Sequence, residues 1–161
     1  MSNTAPSDVC TVYRLRMVTR RATRLYDRHL APTGLGIAQF GLLNAIWSRE
    51  GASVTDIAAL LDMERTTLTR NLGPLVRRGL VALGAGPDKR SRSVTITEAG
   101  KETVRRARPH WRAAQAELAA ALGEERHTAL VAALGLALAH IPDTGPDTGG
   151  PQSGEPLPAL R

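Results

Sequence analysis

Aromatic residues are nearly absent from this chain: two Trp, two Tyr and one Phe, 3% of 161 residues. Within a hydrophobic content of 42%, Ala and Leu supply most of the apolar volume. Both are strong helix formers, and Ala lets backbones approach closely, so the composition favours packed helices around a real core. A single cysteine, Cys10, excludes a disulfide framework and any multi-cysteine metal site. The four histidines, His29, His110, His127 and His140, have no ligand-like spacing, so no metal is expected. No apolar run reaches the length of a membrane span; the nearest, Ala129 to Ile141, is too short. The opening MSNTAPSDVC has neither a basic nor an apolar signal region, and the expectation is a cytoplasmic protein with no membrane partner. A nucleophile elbow, a phosphate loop and a neighbouring Cys–His pair are all missing, which argues against an enzyme, catalytic residues or a cofactor.

Charge, by contrast, is concentrated. From Arg65 to Arg92 stand seven basic residues (Arg65, Arg70, Arg77, Arg78, Lys89, Arg90, Arg92) and one acid, Asp88. That stretch holds the entire net charge of +6, because the other 133 residues carry 14 groups of each sign. A focused positive face of this kind suits a polyanion such as double-stranded DNA.

Periodicity places that face on a recognisable frame. Val12, Leu15, Val18, Ala22, Leu25, Tyr26 and Leu30 recur at helical steps and predict a first helix over about Thr11 to Leu30. Pro32, Gly34 and Gly36 end it. A second helix follows, with Ile37, Phe40, Leu43, Ile46 and Trp47 on one face. Ser53 with Asp56 forms a capping-box variant that opens a short third helix, in which Ile57, Leu60 and Leu61 point inward. Asp62 is expected to cap a fourth helix running to about Arg78, with Leu68, Leu72, Leu75 and Val76 buried. Two short helices joined by a tight turn make a helix-turn-helix. After Gly79 the period switches to two: Val81 and Leu83, a Gly-Pro-Asp turn, then Val94 and Ile96. This is a β-hairpin with a basic tip, a wing. Thr97 caps a long helix to about Leu122, and Glu124 starts another ending near His140.

The fold class expected is therefore mainly α with a small β-hairpin wing: a winged helix-turn-helix lobe over 36–97, flanked by dimerisation helices over 10–35 and 98–141. These make one unit, 1–141. The last twenty residues hold five prolines and four glycines, so 142–161 are expected to be a disordered tail.

The early fourth helix offers Arg65, Thr66, Thr67, Thr69, Arg70 and Asn71. Arg bonds guanine bidentately, Asn does the same to adenine, and Thr touches a phosphate or a thymine methyl. Pro74 separates this reading half from a packing half. Arg77 and Arg78 stand beyond it, as phosphate contacts or plain solvated charges. On the wing, Lys89, Arg90 and Arg92 join the DNA-binding set, with Arg90 assigned to the minor groove and Asp88 to orienting Arg90 or Arg92.

Four segments, Thr66–Leu72, Leu75–Val81, Asp88–Arg92 and Ile96–Gly100, resemble the MarR family of bacterial transcription regulators. Leu30–Leu35 with Gln39 and Phe40 matches that family's first connection, and the resemblance spans roughly residues 10 to 122. It implies a homodimer with interlocked terminal helices, a sequence-specific regulator that usually represses genes and releases DNA when a small-molecule ligand or oxidant acts. A two-fold dimer places its reading helices about 34 Å apart and predicts a pseudo-palindromic operator. The broad Ala/Leu faces of the first and last two helices point to the same dimer, since a winged helix alone cannot cover them. The alternative is a non-specific architectural DNA-binding protein, which the asymmetric polar set on the fourth helix argues against.

One departure from the family is Gly36, where many relatives place Ser or Thr at the start of the second helix. A second concerns Cys10. Aligned on Tyr26, Val12 occupies the place of the family's peroxide-sensing cysteine. Cys10 stands two residues earlier, about 200° away on a helix. It is kept as a redox candidate, with the inert thiol as the preferred reading. Tyr13, Tyr26, His29, His110 and Trp111 form a candidate effector pocket, against which Tyr26 reads better as core and Trp111 as evenly either.

Overall fold

Helical periodicity runs to Gly79 and resumes at Glu98, and the chain folds accordingly. The computed structural model describes residues 10–86 and 92–142. Its elements are α1 (Thr11–Leu30), a 3-10 turn (Ala31–Thr33), α2 (Ile37–Ser48), α3 (Val54–Leu60), α4 (Arg65–Arg77), β1 (Val81–Ala85), β2 (Arg92–Ile96), α5 (Glu98–Leu122) and α6 (Glu124–His140). The wing residues Asp88, Lys89 and Arg90, and the tail expected beyond Pro142, lie outside the described residues.

The core gathers under α2. Phe40, Leu43 and Ile46 close against Leu30, Ile57, Leu68, Leu75, Val94 and Val104, all withdrawn from solvent. One apolar face was expected on α2, yet Leu42 through Ile46 are buried without a break. The reason is its neighbours: α1, α3, β2 and α5 all pack on it, so no side is left for water. Asn44, buried among them, satisfies its amide by donating to the Phe40 carbonyl at 2.8 Å.

Two helix starts conform to the sequence and two do not. Ser53 accepts from the Asp56 N–H at 3.1 Å while Asp56 accepts from the Ser53 N–H at 3.0 Å, a reciprocal box opening α3. Thr97 caps α5 by accepting from the Gly100 N–H at 3.0 Å. Asp62, expected as the cap of α4, is instead a turn residue with φ +50°, a left-handed conformation that Asp tolerates. Glu64 takes the cap position, without a side-chain bond. Asp suits both roles, and the turn needed the left-handed one.

At α2 the missing Ser or Thr is replaced from α1. Asp27 Oδ1 accepts from the Ile37 N–H at 2.7 Å, and Gln39 Oε1 accepts from the Gly36 N–H at 3.3 Å. Gly36 suits this arrangement, because a Cβ there would come within 3.2 Å of the Asp27 carboxylate. The departure at Gly36 thus leaves α2 capped.

The hairpin pairs Val81 with Ile96, Leu83 with Val94 and Ala85 with Arg92, antiparallel. A third short edge escapes a reading by periodicity: Ser53 bridges Ser93, and the Val94 N–H donates to the Ala52 carbonyl at 3.0 Å. The wing is thereby fastened to the start of α3. At its base the first turn of α5 meets β1 so closely that a Cβ on Gly100 would stand 2.1 Å from the Leu80 carbonyl oxygen.

Candidate nucleic-acid interface

The polarity of α4 divides cleanly. Leu68, Leu72 and Leu75, at steps of four and three, are buried and hold the helix against the core. Arg65, Thr66, Thr67, Thr69 and Arg70 are exposed, while Asn71 is half-buried at the margin. The hydroxyl of Thr69 donates to the Arg65 carbonyl at 2.8 Å, which leaves its methyl and its lone pairs outward. So up to Asn71 the surface that α4 turns to water carries two guanidiniums, three hydroxyls and one carboxamide edge.

Beyond Pro74 the helix continues to Arg77 without interruption. Val76, expected in the core, is exposed and faces the wing instead. It lines a cleft of about 380 Å³ between α4 and the hairpin, together with Leu72, Leu83, Arg65 and Arg92. Leu83 is half-exposed there for the same reason: the hairpin stands off α4 rather than closing on it. Arg92, exposed on β2, therefore shares one cleft with Arg65 of α4. Arg78 is exposed, yet it is not a plain solvated charge. Its Nη1 donates to the Gly34 carbonyl at 2.9 Å and ties the end of α4 to the α1–α2 connection.

Comparison with known proteins decides what this frame is. The MarR family model matches residues 33–91. The M. tuberculosis transcriptional regulator MosR, solved in complex with DNA, is 39% identical, covers 81% of this chain and 97% of its own, and superposes with a TM-score of 0.70. The chain belongs to the MarR family of transcription regulators. The transcriptional repressor CouR bound to a 23-mer DNA duplex is 28% identical, over 78% of this chain and 89% of its own, at a TM-score of 0.70. CouR bound to p-coumaroyl-CoA is 26% identical, over 82% and 93%, at 0.73. No curated protein sequence matches.

In this MarR-family chain four of the residues expected at an effector pocket lie on α1 and α5 where these helices pack, and Tyr13 stands apart from them. Tyr26 is buried, and its hydroxyl donates to Gln115 of α5; burial pushes its phenol above the usual value. His29 Nε2 stands 2.7 Å from Glu117 Oε2, and Arg28 pairs with the other oxygen of that carboxylate. Those two partners, His29 first, hold the Glu117 carboxyl below its ordinary range. Trp111 is half-buried and stacks on Phe40, with ring centroids 6.2 Å apart. His110 is half-buried next to it. Tyr13 is 63% exposed near the far end of α1, about 20 Å along the helix from Tyr26. Cys10 is exposed and precedes the first turn of α1. Among the described residues no cluster of acids, histidines and cysteine suits a metal ion, and no helix is long and apolar enough to cross a membrane.

One residue of this region escaped the sequence reading. Arg108, on the inner side of α5, has its Nε and Nη2 shut off from solvent with no hydrogen-bond partner. Four arginines between Thr103 and Ala116 concealed it, since spacing alone does not separate an inward guanidinium from three outward ones.

Proposed function

We propose that the chain is a dimeric, sequence-specific DNA-binding regulator that represses its target genes and is released by a small-molecule ligand or an oxidant. The observation that carries this reading is the exposed polar face of α4, braced from behind by Leu68, Leu72 and Leu75 and flanked by the hairpin. Arg65, Thr66, Thr67, Arg70 and Asn71 supply bidentate and single donors suited to base edges, and Arg92 supplies charge beside them. Thr69 adds a methyl contact. Lys89 and Arg90, with Asp88 orienting them, are assigned to the wing tip on sequence grounds. The lobe over 36–97 reads the major groove; MosR and CouR, solved with DNA, support this assignment.

Dimerisation rests on apolar surface that one chain leaves uncovered. Val12, Leu15 and Val18 on α1, and Val131, Leu134, Leu136 and Leu138 on α6, are exposed, and α6 buries no residue at all. Apolar surface of that extent calls for a partner, here a second copy through 10–35 and 98–141. Release by a ligand is supported by CouR, solved with p-coumaroyl-CoA. Catalysis forms no part of this proposal, and a DNA regulator of this type works in the cytoplasm.

The test is fluorescence anisotropy with DNA upstream of the chain's own gene and a scrambled duplex, at one salt concentration. Tight binding to the first alone is expected, at one dimer per site. Asn71→Ala and Arg70→Ala should each cost about 1–3 kcal/mol at the cognate site and little on scrambled DNA. Equal losses on both duplexes would remove these residues from base reading. Equal, salt-sensitive binding of both duplexes by the unaltered protein would favour an architectural binder.

A further inference from the structure

The cleft between α4 and the hairpin has an apolar floor, although it opens within the chain's most basic stretch. Leu72 and Val76 of α4, Val54 of α3 and Leu83 of β1 line it, with Arg65 on the helix wall and Arg92 on the hairpin wall. Val76 and Leu83 remain 37% and 39% exposed, as large aliphatic side chains rarely do inside a hollow. Arg65 and Arg92 are exposed, and among the described residues neither pairs with an acid. At about 380 Å³ the hollow has the size of a small binding pocket. A sugar–phosphate strand would satisfy the two guanidiniums but not the apolar floor.

The chain itself carries a segment of matching chemistry, outside the described residues. Beyond Pro142 stand three acids, Asp143, Asp147 and Glu155, against one base, Arg161. Apart from prolines, no apolar side chain occurs between Ile141 and Leu157; then Leu157, Ala159 and Leu160 come together after Glu155. Pro156 and Pro158 favour polyproline II geometry, with three residues per turn and a rise of about 3.1 Å. In that geometry Leu157 and Leu160 share one face, about 9 Å apart, and Glu155 precedes them by two residues. Proline-rich segments enter apolar grooves at a low entropic cost because their extended form is already favoured. Reach is sufficient. From Ile141, at the end of α6, to Glu155 the chain spans up to about 46 Å, more than the roughly 36 Å of α5 that separates the wing from α6.

We propose that Glu155–Leu160 docks in this cleft, with Leu157 and Leu160 against Val76 and Leu83 and Glu155 on Arg65 or Arg92, and so competes with DNA for α4. This rests on the DNA-binding reading of α4 above and adds a limit that the chain sets on its own affinity. Tethering makes a weak contact sufficient. At an effective concentration of about 1 mM, a segment with an intrinsic Kd of about 100 µM keeps the cleft closed by about ten to one.

The test uses the full chain carrying Leu157→Ser and Leu160→Ser together, which removes the apolar anchors and alters no described residue. Its affinity for the cognate duplex should rise about tenfold over the unaltered chain. A fluorescein-labelled peptide of residues 150–161 should bind the doubly substituted chain saturably in the absence of DNA. The unaltered chain should bind that peptide about tenfold more weakly, because its own segment competes. Adding Leu83→Thr or Arg92→Gln to the doubly substituted chain should weaken the peptide by about fivefold or more. Both positions are exposed, so neither change empties the core. Unchanged DNA affinity in the doubly substituted chain, or no saturable peptide binding to it, would overturn the proposal. So would peptide binding that Leu83→Thr and Arg92→Gln both leave intact, since the segment would then dock elsewhere. A chain that takes up the peptide at the cleft yet binds neither the cognate nor the scrambled duplex would refute the reading of α4 and leave the docking standing.

Discussion

The borrowed cap of α2 gives the most direct test of how this sequence builds its fold. Asp27 lies ten residues before Ile37, yet its carboxylate accepts from the Ile37 N–H at 2.7 Å and does the work of an absent N-cap side chain. Losing such an acceptor costs about 0.5–2 kcal/mol. Losing the negative charge beside a helix N-terminus adds about 0.3–1 kcal/mol. Asp27→Ala should therefore destabilise by about 2 kcal/mol, which for a chain of this size lowers the melting temperature by about 4–8 °C. Gly36→Ser alone should not stabilise, because its Cβ would meet Asp27 Oδ1 at 3.2 Å. In the double variant that conflict is gone, Gly36 already has an extended N-cap backbone (φ −93°, ψ 166°), and the new hydroxyl can cap locally. About 1 kcal/mol should return, a coupling that a double-mutant cycle reads directly. Thermal unfolding by circular dichroism at matched protein concentration supplies the four values, since a dimer's melting temperature depends on concentration. Strict additivity of the two substitutions, or a loss below about 1 °C for Asp27→Ala, would refute the cap.

Two further outcomes follow from close contacts. Gly100→Ala pushes a methyl to 2.1 Å from the Leu80 carbonyl and 2.7 Å from Ile96 Cγ1, so the base of the wing must move. Overpacking of this kind costs about 1–3 kcal/mol, and an unchanged melting temperature would contradict the packing. Glu117, held below its ordinary carboxyl range by His29 and Arg28, contributes stability that is present above the unfolded value near 4.3 and lost as pH falls through the lower folded value. Melting temperature should thus drop in acid below about pH 4, and less steeply in Glu117→Gln; identical acid limbs would show that the α1–α5 clasp contributes nothing.

Much of the frame was legible because period and punctuation agreed. Thr11 to Leu30, Glu98 to Leu122 and Glu124 to His140 begin and end where the pattern predicted. The hairpin was visible in the switch of period at Gly79, and the exposed set on α4 in the placement of its leucines. The differences come from contacts between segments distant in the chain. Val76 has the spacing of a core residue but faces a cleft whose opposite wall, Leu83 and Arg92, belongs to the hairpin. Arg78 looked like a free charge because its acceptor, the Gly34 carbonyl, lies 44 residues away. Asp62 carries a cap residue's chemistry, and only the backbone of the turn shows that it is spent on a positive φ. Arg108 was hidden among three similar neighbours, and its burial is a tertiary fact.

These same contacts decide how α4 is held. The polar side chains of its first half, through Arg70, are in water, while its end is fastened twice. Arg78 bonds the Gly34 carbonyl at the α1–α2 connection, and Thr97 bonds the Gly79 and Leu80 carbonyls at the head of α5, at 2.7 and 3.1 Å. Gly100 leaves no slack at the second fastening, since even a methyl there would strike Leu80. The exit of α4 and the head of α5 are thus joined by bonds to backbone carbonyls and by a contact with no room for a side chain.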